Sequence, residues 1–349
     1  NPLILSGYAE HLAAADFGST FEILQAGPDY YGISFETRWD WGEADRGGAS
    51  DILVENCIIH HTGRDCIKIK PGCDDIVIRN CEIFHSGFRD DGNAEGIDNV
   101  NGDRTFIIDC WIHDTATNGV YLKGGATACV VNRCLVENCG EGGILLGFDT
   151  SPEYFDTTVN PRYYENINGT VKNCVVRNTR YAGIGLFAAR NARVLNNTII
   201  DTADSGQHSP IYFGITLQDW DTDINGRPAS INPVIKNNIV VQSQGLAAAL
   251  VEIRSFFHGS LGRVNGLEGP ADMNANCYWG GSARFEDNRP GMEFSGNLAG
   301  WRNHMAAEAL SFMADPGLAN GFDLSHTSPC IDAGLSLNAV TTDYFRNPR

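Results

Sequence analysis

Along most of the chain, apolar and polar residues alternate with period two in short runs, not at the three-to-four spacing of a helix. One phrase recurs: two polar residues, a small residue, an alternating apolar stretch, then a polar turn. Its copies are residues 55–60, 79–84, 108–113, 132–137, 172–177, 196–201 and 237–242. Their third residues are Cys57, Cys81, Cys110, Cys134, Cys174, Thr198 and Ile239, at spacings of 24, 29, 24, 40, 24 and 41. A base period near 24 with occasional insertions predicts a solenoid of stacked coils, each with about three short strands. The expected fold is all-β: a single-stranded solenoid of the right-handed parallel β-helix type. Residues 1–254 would form its coils, with openings at 21–24 and 31–34. Residues 255–349, where the period is lost, would supply the last coils and a C-terminal cap of the same domain. A short helix is expected between Trp301 and Met313, and the segment around 315–334 is expected over the open last rung.

A second alternating segment recurs at 67–70, 97–100, 120–123, 144–147, 184–187, 215–218 and 251–254. Its first and third residues should face inward and its second and fourth outward. Glycine precedes several copies, at Gly96, Gly119, Gly143, Gly183 and Gly214. The five cysteines of the first phrase then form an inward column of buried thiols. Eleven cysteines is an odd number, and Cys66, Cys73, Cys129 and Cys139, nearer the turns, leave a disulfide open.

The Asn-Cys-apolar-apolar coils, the Gly-Val-Tyr-Leu-Lys-Gly-Gly run at 119–125 and the Ser-Pro-Cys-Ile-Asp-Ala-Gly stretch at 328–334 resemble the pectate-lyase-like superfamily of right-handed parallel β-helix proteins. The resemblance implies action on carbohydrate and a secreted or cell-surface location. It also implies that the N-terminal cap usual in such proteins is missing from this sequence, since segments like 1–8 follow earlier strands in the relatives. In two lyase families of this fold, a lysine near the end of a coil strand is the catalytic base, and Lys123 looks like such a position. One of those families adds an arginine on the following rung. This sequence has Gly147 there, and Arg254 stands about four rungs away in the same column.

A net charge of −18 and a pI near 4.8 disfavour nucleic acid and anionic membrane surfaces as partners. No apolar run reaches the roughly 18 residues that a membrane span needs. Acidic polysaccharides are also repelled unless a basic strip or a bound cation intervenes, so the outward ladder of the second segment matters. It carries Lys68 and Lys70 on one rung, Asp98 on the next, and Tyr121 and Lys123 on the third. Lys70 and Lys123 should lie roughly 10 Å apart with Asp98 between them. That set suits β-elimination on a uronic acid: Lys123 as base, Tyr121 assisting, Lys68 or Lys70 neutralising the carboxylate, and Asp98 orienting a lysine or a metal. The turn with Asp90, Asp91 and Glu95, together with Asp98, is a candidate Ca²⁺ site. His113, Asp149, Glu153 and Tyr154 are candidate substrate contacts, the last three on an insertion that could wall a groove. Two other readings stay open: a glycoside hydrolase using paired carboxylates such as Asp98 and Asp149, and a non-catalytic glycan-binding or structural surface protein.

Overall fold

The computed structural model describes residues 31–37, 47–217 and 226–349, together with the backbone of the strands Leu12–Ala13 and Phe21–Leu24. The recurring phrase is a corner. Its second residue adopts the left-handed conformation at Asn56, Asn80, Asp109, Arg133 and Asn173, and in the last two copies the first residue does so, at Asn196 and Asn237, with φ between 52° and 59° throughout. Asn and Asp tolerate this region best among residues with a side chain, so one residue turns the chain from one sheet to the next. The corner asparagines also bond along the stack, as Asn80 Nδ2 does to Asn56 Oδ1 at 2.6 Å.

Strands of successive coils pair in parallel and build three long faces, plus a short sheet that begins at Ala126–Thr127. The face relevant to function contains β1 (Ile33–Phe35), β2 (Ile67–Ile69), β3 (Ile97–Val100), β4 (Val120–Lys123), β5 (Ile144–Leu146), β6 (Ile184–Phe187), β7 (Ile211–Gly214), β8 (Val251–Ile253) and β9 (Phe285–Asp287), in that order. A final antiparallel strand, β10 (Phe294–Gly296), closes it. Inward residues such as Ile67, Ile97, Val120, Ile144, Ile184 and Ile211 are fully buried in one continuous core. Each burial contributes about 1.5–3 kcal/mol.

Two expectations about register need correction. The inward cysteine column is present, but it continues through Asn197, Asn238 and Asn276, not through Thr198 and Ile239. The pairing Val175↔Thr198 fixes this register, because one coil is a residue shorter. These asparagines bond Asn197 Nδ2 to Asn238 Oδ1 and Asn238 Nδ2 to Asn276 Oδ1, both at 3.0 Å, so the polar groups are satisfied inside the core. The seventh strand of the site face is Ile211–Gly214, not 215–218, and Pro210 stands where other coils have glycine; residue 218 lies outside the described residues. Beyond residue 254, strands at 267–268, 272–274, 277–280 and 285–287 form a further rung.

The helix α1 (Leu298–Met305) is shorter than expected and places Trp301 against the end of the core. Within the segment at 315–334, Cys330 shares a cavity with Cys277 of the last coil, and the chain runs on beside earlier coils, where Leu335 and Asn237 exchange two hydrogen bonds of 2.8 Å. Cys66, Cys73, Cys129 and Cys139 are free, buried thiols.

Candidate functional site

The outward residues of β2, β3 and β4 stack as the pairings Lys68↔Asp98 and Asp98↔Tyr121. Asp98 is completely buried on this outer face. Lys68 donates a short hydrogen bond to its Oδ2 and lies 3.4 Å from Asp65 Oδ2. Lys123 Nζ sits 3.8 Å from Asp98 Oδ2 and 3.9 Å from the centre of the Tyr121 ring. Four of the expected residues, Lys68, Asp98, Tyr121 and Lys123, therefore meet. Lys70 does not join them, because its ammonium pairs with Glu36 at 2.6 Å in the preceding coil.

The residue that sequence reading missed is Asp65. It lies just before β2 in the place that Glu95 takes before β3, as the hydrogen bonds Cys66 N to Glu95 O and Ile67 N to Gly96 O show. Oxygens of Asp65, Glu95 and Asp98 lie within 4.8 Å of one another. Asp65 Oδ2, Glu95 Oε2 and Asp98 Oδ1 are buried and take part in no hydrogen bond. Asp65 is pushed well above the usual carboxylate range by burial and by the charges of Asp98 and Glu95, against the pull of Lys68. Burial lowers the Lys68 pKa, but Asp98 and Asp65 more than reverse that effect, so it is held cationic. Burial raises the Tyr121 phenol far above its usual value, with Glu95 and Asp149 adding to the effect. Asp90 and Asp91 are outside this carboxylate set: Asp90 pairs with Arg64 at 2.7 Å, and Asp91 is exposed.

The insertion after β5 packs beside the cluster. Its short 3₁₀ turn Pro152–Tyr154 carries Glu153 and Tyr154, and Asn101 donates to the Tyr154 carbonyl at 2.5 Å. Glu165 anchors the far end. It accepts from Gly124 N (2.9 Å), Thr150 Oγ1 (2.7 Å) and Arg227 Nε (3.0 Å), and burial lifts its carboxyl to about 7 against the pull of Arg227. Gly147 occupies the Lys123 column on the next rung for a backbone reason. Its φ is +89°, and a Cβ there would lie 1.9 Å from the Phe187 carbonyl oxygen, so no arginine fits. His113 belongs to another face. It is stacked on Phe84 and Trp111 and bonded to Asp114, so it is not a contact of this site.

A family described as "right handed beta helix region" matches residues 43–161. Among solved structures, the A-module of a mannuronan C-5 epimerase from Azotobacter vinelandii superposes with a TM-score of 0.55 at 13% identity, over 76% of this chain and 59% of that one. This chain is a right-handed parallel β-helix. It spans 59% of the epimerase module's length. Weaker overlaps are with a pectate lyase (TM-score 0.43, 12% identity, 94% of this β-helix and 86% of that chain) and with a surface adhesin of Streptococcus pneumoniae (0.40, 10%, 68% and 78%). The comparison with curated proteins found no match. No helix among the described residues is long and apolar enough to cross a membrane.

Proposed function

We propose that this β-helix acts on a uronic-acid-containing polysaccharide and cleaves it by β-elimination at the Lys68–Asp98–Lys123 cluster. The observation that supports the reading is the desolvated meeting of two lysine side chains and a phenol around Asp98, beside carboxylates that each keep a buried oxygen without a hydrogen bond. In the reaction, the sugar C5–H bond breaks, a C4=C5 double bond forms and the C4–O bond to the leaving sugar breaks. Lys123 in its amine form takes the C5 proton, and Tyr121, kept protonated by its raised pKa, gives a proton to the leaving oxygen. Lys68, held cationic, cannot act as the base and instead faces the substrate carboxylate.

Asp65, Glu95 and Asp98 fit a hard divalent cation such as Ca²⁺, since each offers a buried oxygen without a hydrogen bond. Such an ion supplies positive charge next to a uronate carboxylate, which the acidic cluster would otherwise repel. A substrate of this kind belongs outside the cell, so the proposal includes a secreted or surface location.

The test is a panel of uronate-containing and neutral polysaccharides, with calcium or chelator, read by the ultraviolet absorbance of the unsaturated product and by reducing ends. Uronate-dependent absorbance is expected, falling by at least about 10²-fold in Lys123→Ala. Full activity in that variant overturns the assignment. Reducing ends without absorbance would favour a hydrolase instead. That second reading draws on Glu252, whose carboxyl burial lifts to about 7, with Glu286 as its Cα partner on the next rung.

A further inference from the structure

Cys277 points the opposite way from the cysteines of the inner column. Its Cα partner is Ile239, and the row continues through Thr198, Val175, Leu135 and Trp111. These are outward positions, one residue after the inward column, which in this coil is occupied by Asn276. An outward cysteine should be accessible, yet Cys277 is only 2% exposed.

Its cover is the C-terminal segment. Phe312–Met313 pairs with Cys277 and Tyr278, and the chain then turns back across earlier coils. Along that path the Ala339 carbonyl accepts from Lys172 Nζ at 2.8 Å, and Arg346 reaches Asp109 at 3.0 Å. The strap is not tightly packed: a cavity of about 870 Å³ lies beneath it, and both Cys277 and Cys330 line this cavity. The two thiols are close enough for each to shift the ionisation of the other. Cys330 is the one cysteine of the eleven that is not fully buried.

We propose that Cys277 and Cys330 are a covalent modification site, forming a disulfide that latches the C-terminal strap to the last coil. Cys330 is the entry point for oxidation. The neighbouring Cys277 and Ser328 side chains favour its thiolate, whereas Cys277 is pushed up. The Cys330 thiolate attacks a small-molecule disulfide such as oxidised glutathione and expels one thiolate. The Cys277 thiol then loses its proton and displaces the second thiolate from the Cys330 sulfur. Two thiols are oxidised, two protons leave, and the oxidant is reduced to two thiols. The column thiols also neighbour one another, but they are sealed in the core, where such an oxidant has no access. This inference does not depend on the glycan reading.

The test uses the full chain, exposed to oxidised glutathione, then denatured with excess iodoacetamide and weighed intact. Two fewer adducts are expected than the eleven seen after prior reduction, and a non-reduced digest should give one cross-linked pair joining Cys277 to Cys330. Eleven adducts, or a cross-link between other cysteines, would overturn the proposal. In a Cys330→Ser variant no adducts should be missing relative to its reduced form. Limited proteolysis should cut the 314–349 segment faster in reduced than in oxidised wild-type protein; equal rates would show that the bond does not latch the strap.

Discussion

At the level of single residues, the candidate site is an imbalance of charge held out of water. Lys68 offsets Asp65 and Asp98, both completely buried, so losing it leaves buried carboxylates without their cation. Lys68→Met should cost about 3–5 kcal/mol of stability at pH 7 in thermal or urea unfolding. Asp65 also makes stability pH-dependent. Its folded pKa lies above the unfolded value, so the folded state binds that proton more tightly. Its contribution is complete below the unfolded carboxylate pKa and is lost as pH rises toward the raised folded value. In chelator, Tm should therefore fall as pH rises above about 4, and Asp65→Asn should flatten that slope. Calcium should restore Tm at pH 7 to 8 in the wild type and much less in Asp65→Asn. A calcium-induced shift of equal size in both proteins would show that the ion binds elsewhere.

At the level of elements, the strand ends are fixed by what packs behind them. Glu165 ties the insertion after β5 to Gly124, the residue next to Lys123, and Arg227 closes the arrangement with both side chains almost completely buried. Glu165→Ala should destabilise by about 3–5 kcal/mol. It should also speed proteolysis within 149–163 and lower activity through the position of Lys123. Arg227→Ala should act similarly, and the double variant should cost clearly less than the two single losses together.

The same scale explains what the sequence made legible. Lys68, Asp98, Tyr121 and Lys123 could be grouped because strict alternation and rung stacking leave a side chain few directions. Asp65 escaped because it sits in the turn before its strand, where alternation carries no information; aligning Asp65-Cys66-Ile67 with Glu95-Gly96-Ile97 would have found it. Lys70 was placed on the correct face but drawn away by Glu36, a partner in an earlier coil that no repeat announces. The slip at Thr198 came from a coil one residue shorter, masked because Asn197 is polar and reads as outward. At 211–218 two consecutive alternating runs both fit the pattern, and only backbone pairing separates them.

At the level of the whole molecule, a solenoid is held together by neighbour-to-neighbour contacts, so its ends are its weak points. The C-terminal end is closed by Trp301, which is completely buried and lies 5.6 Å from the Phe285 ring on β9. The helix that carries it starts at an Asn297 cap accepting from Gly300 N at 3.1 Å. Trp301→Ala removes the largest side chain of this plug and should cost about 3–5 kcal/mol. The loss should stay near the end where it is made. Each coil rests on the next, so the rung at 272–287 loses its cover, whereas β3 and β4 keep both neighbours. Hydrogen exchange should accelerate through 272–287 and remain slow through 97–123, and a first thermal transition should move down ahead of the main one. Activity at the Lys123 site, four rungs from β8 in the pairing order, should persist at temperatures below that first transition. Uniform acceleration of exchange along the whole chain would mean that the coils unfold as one unit and that stability is not shared out rung by rung.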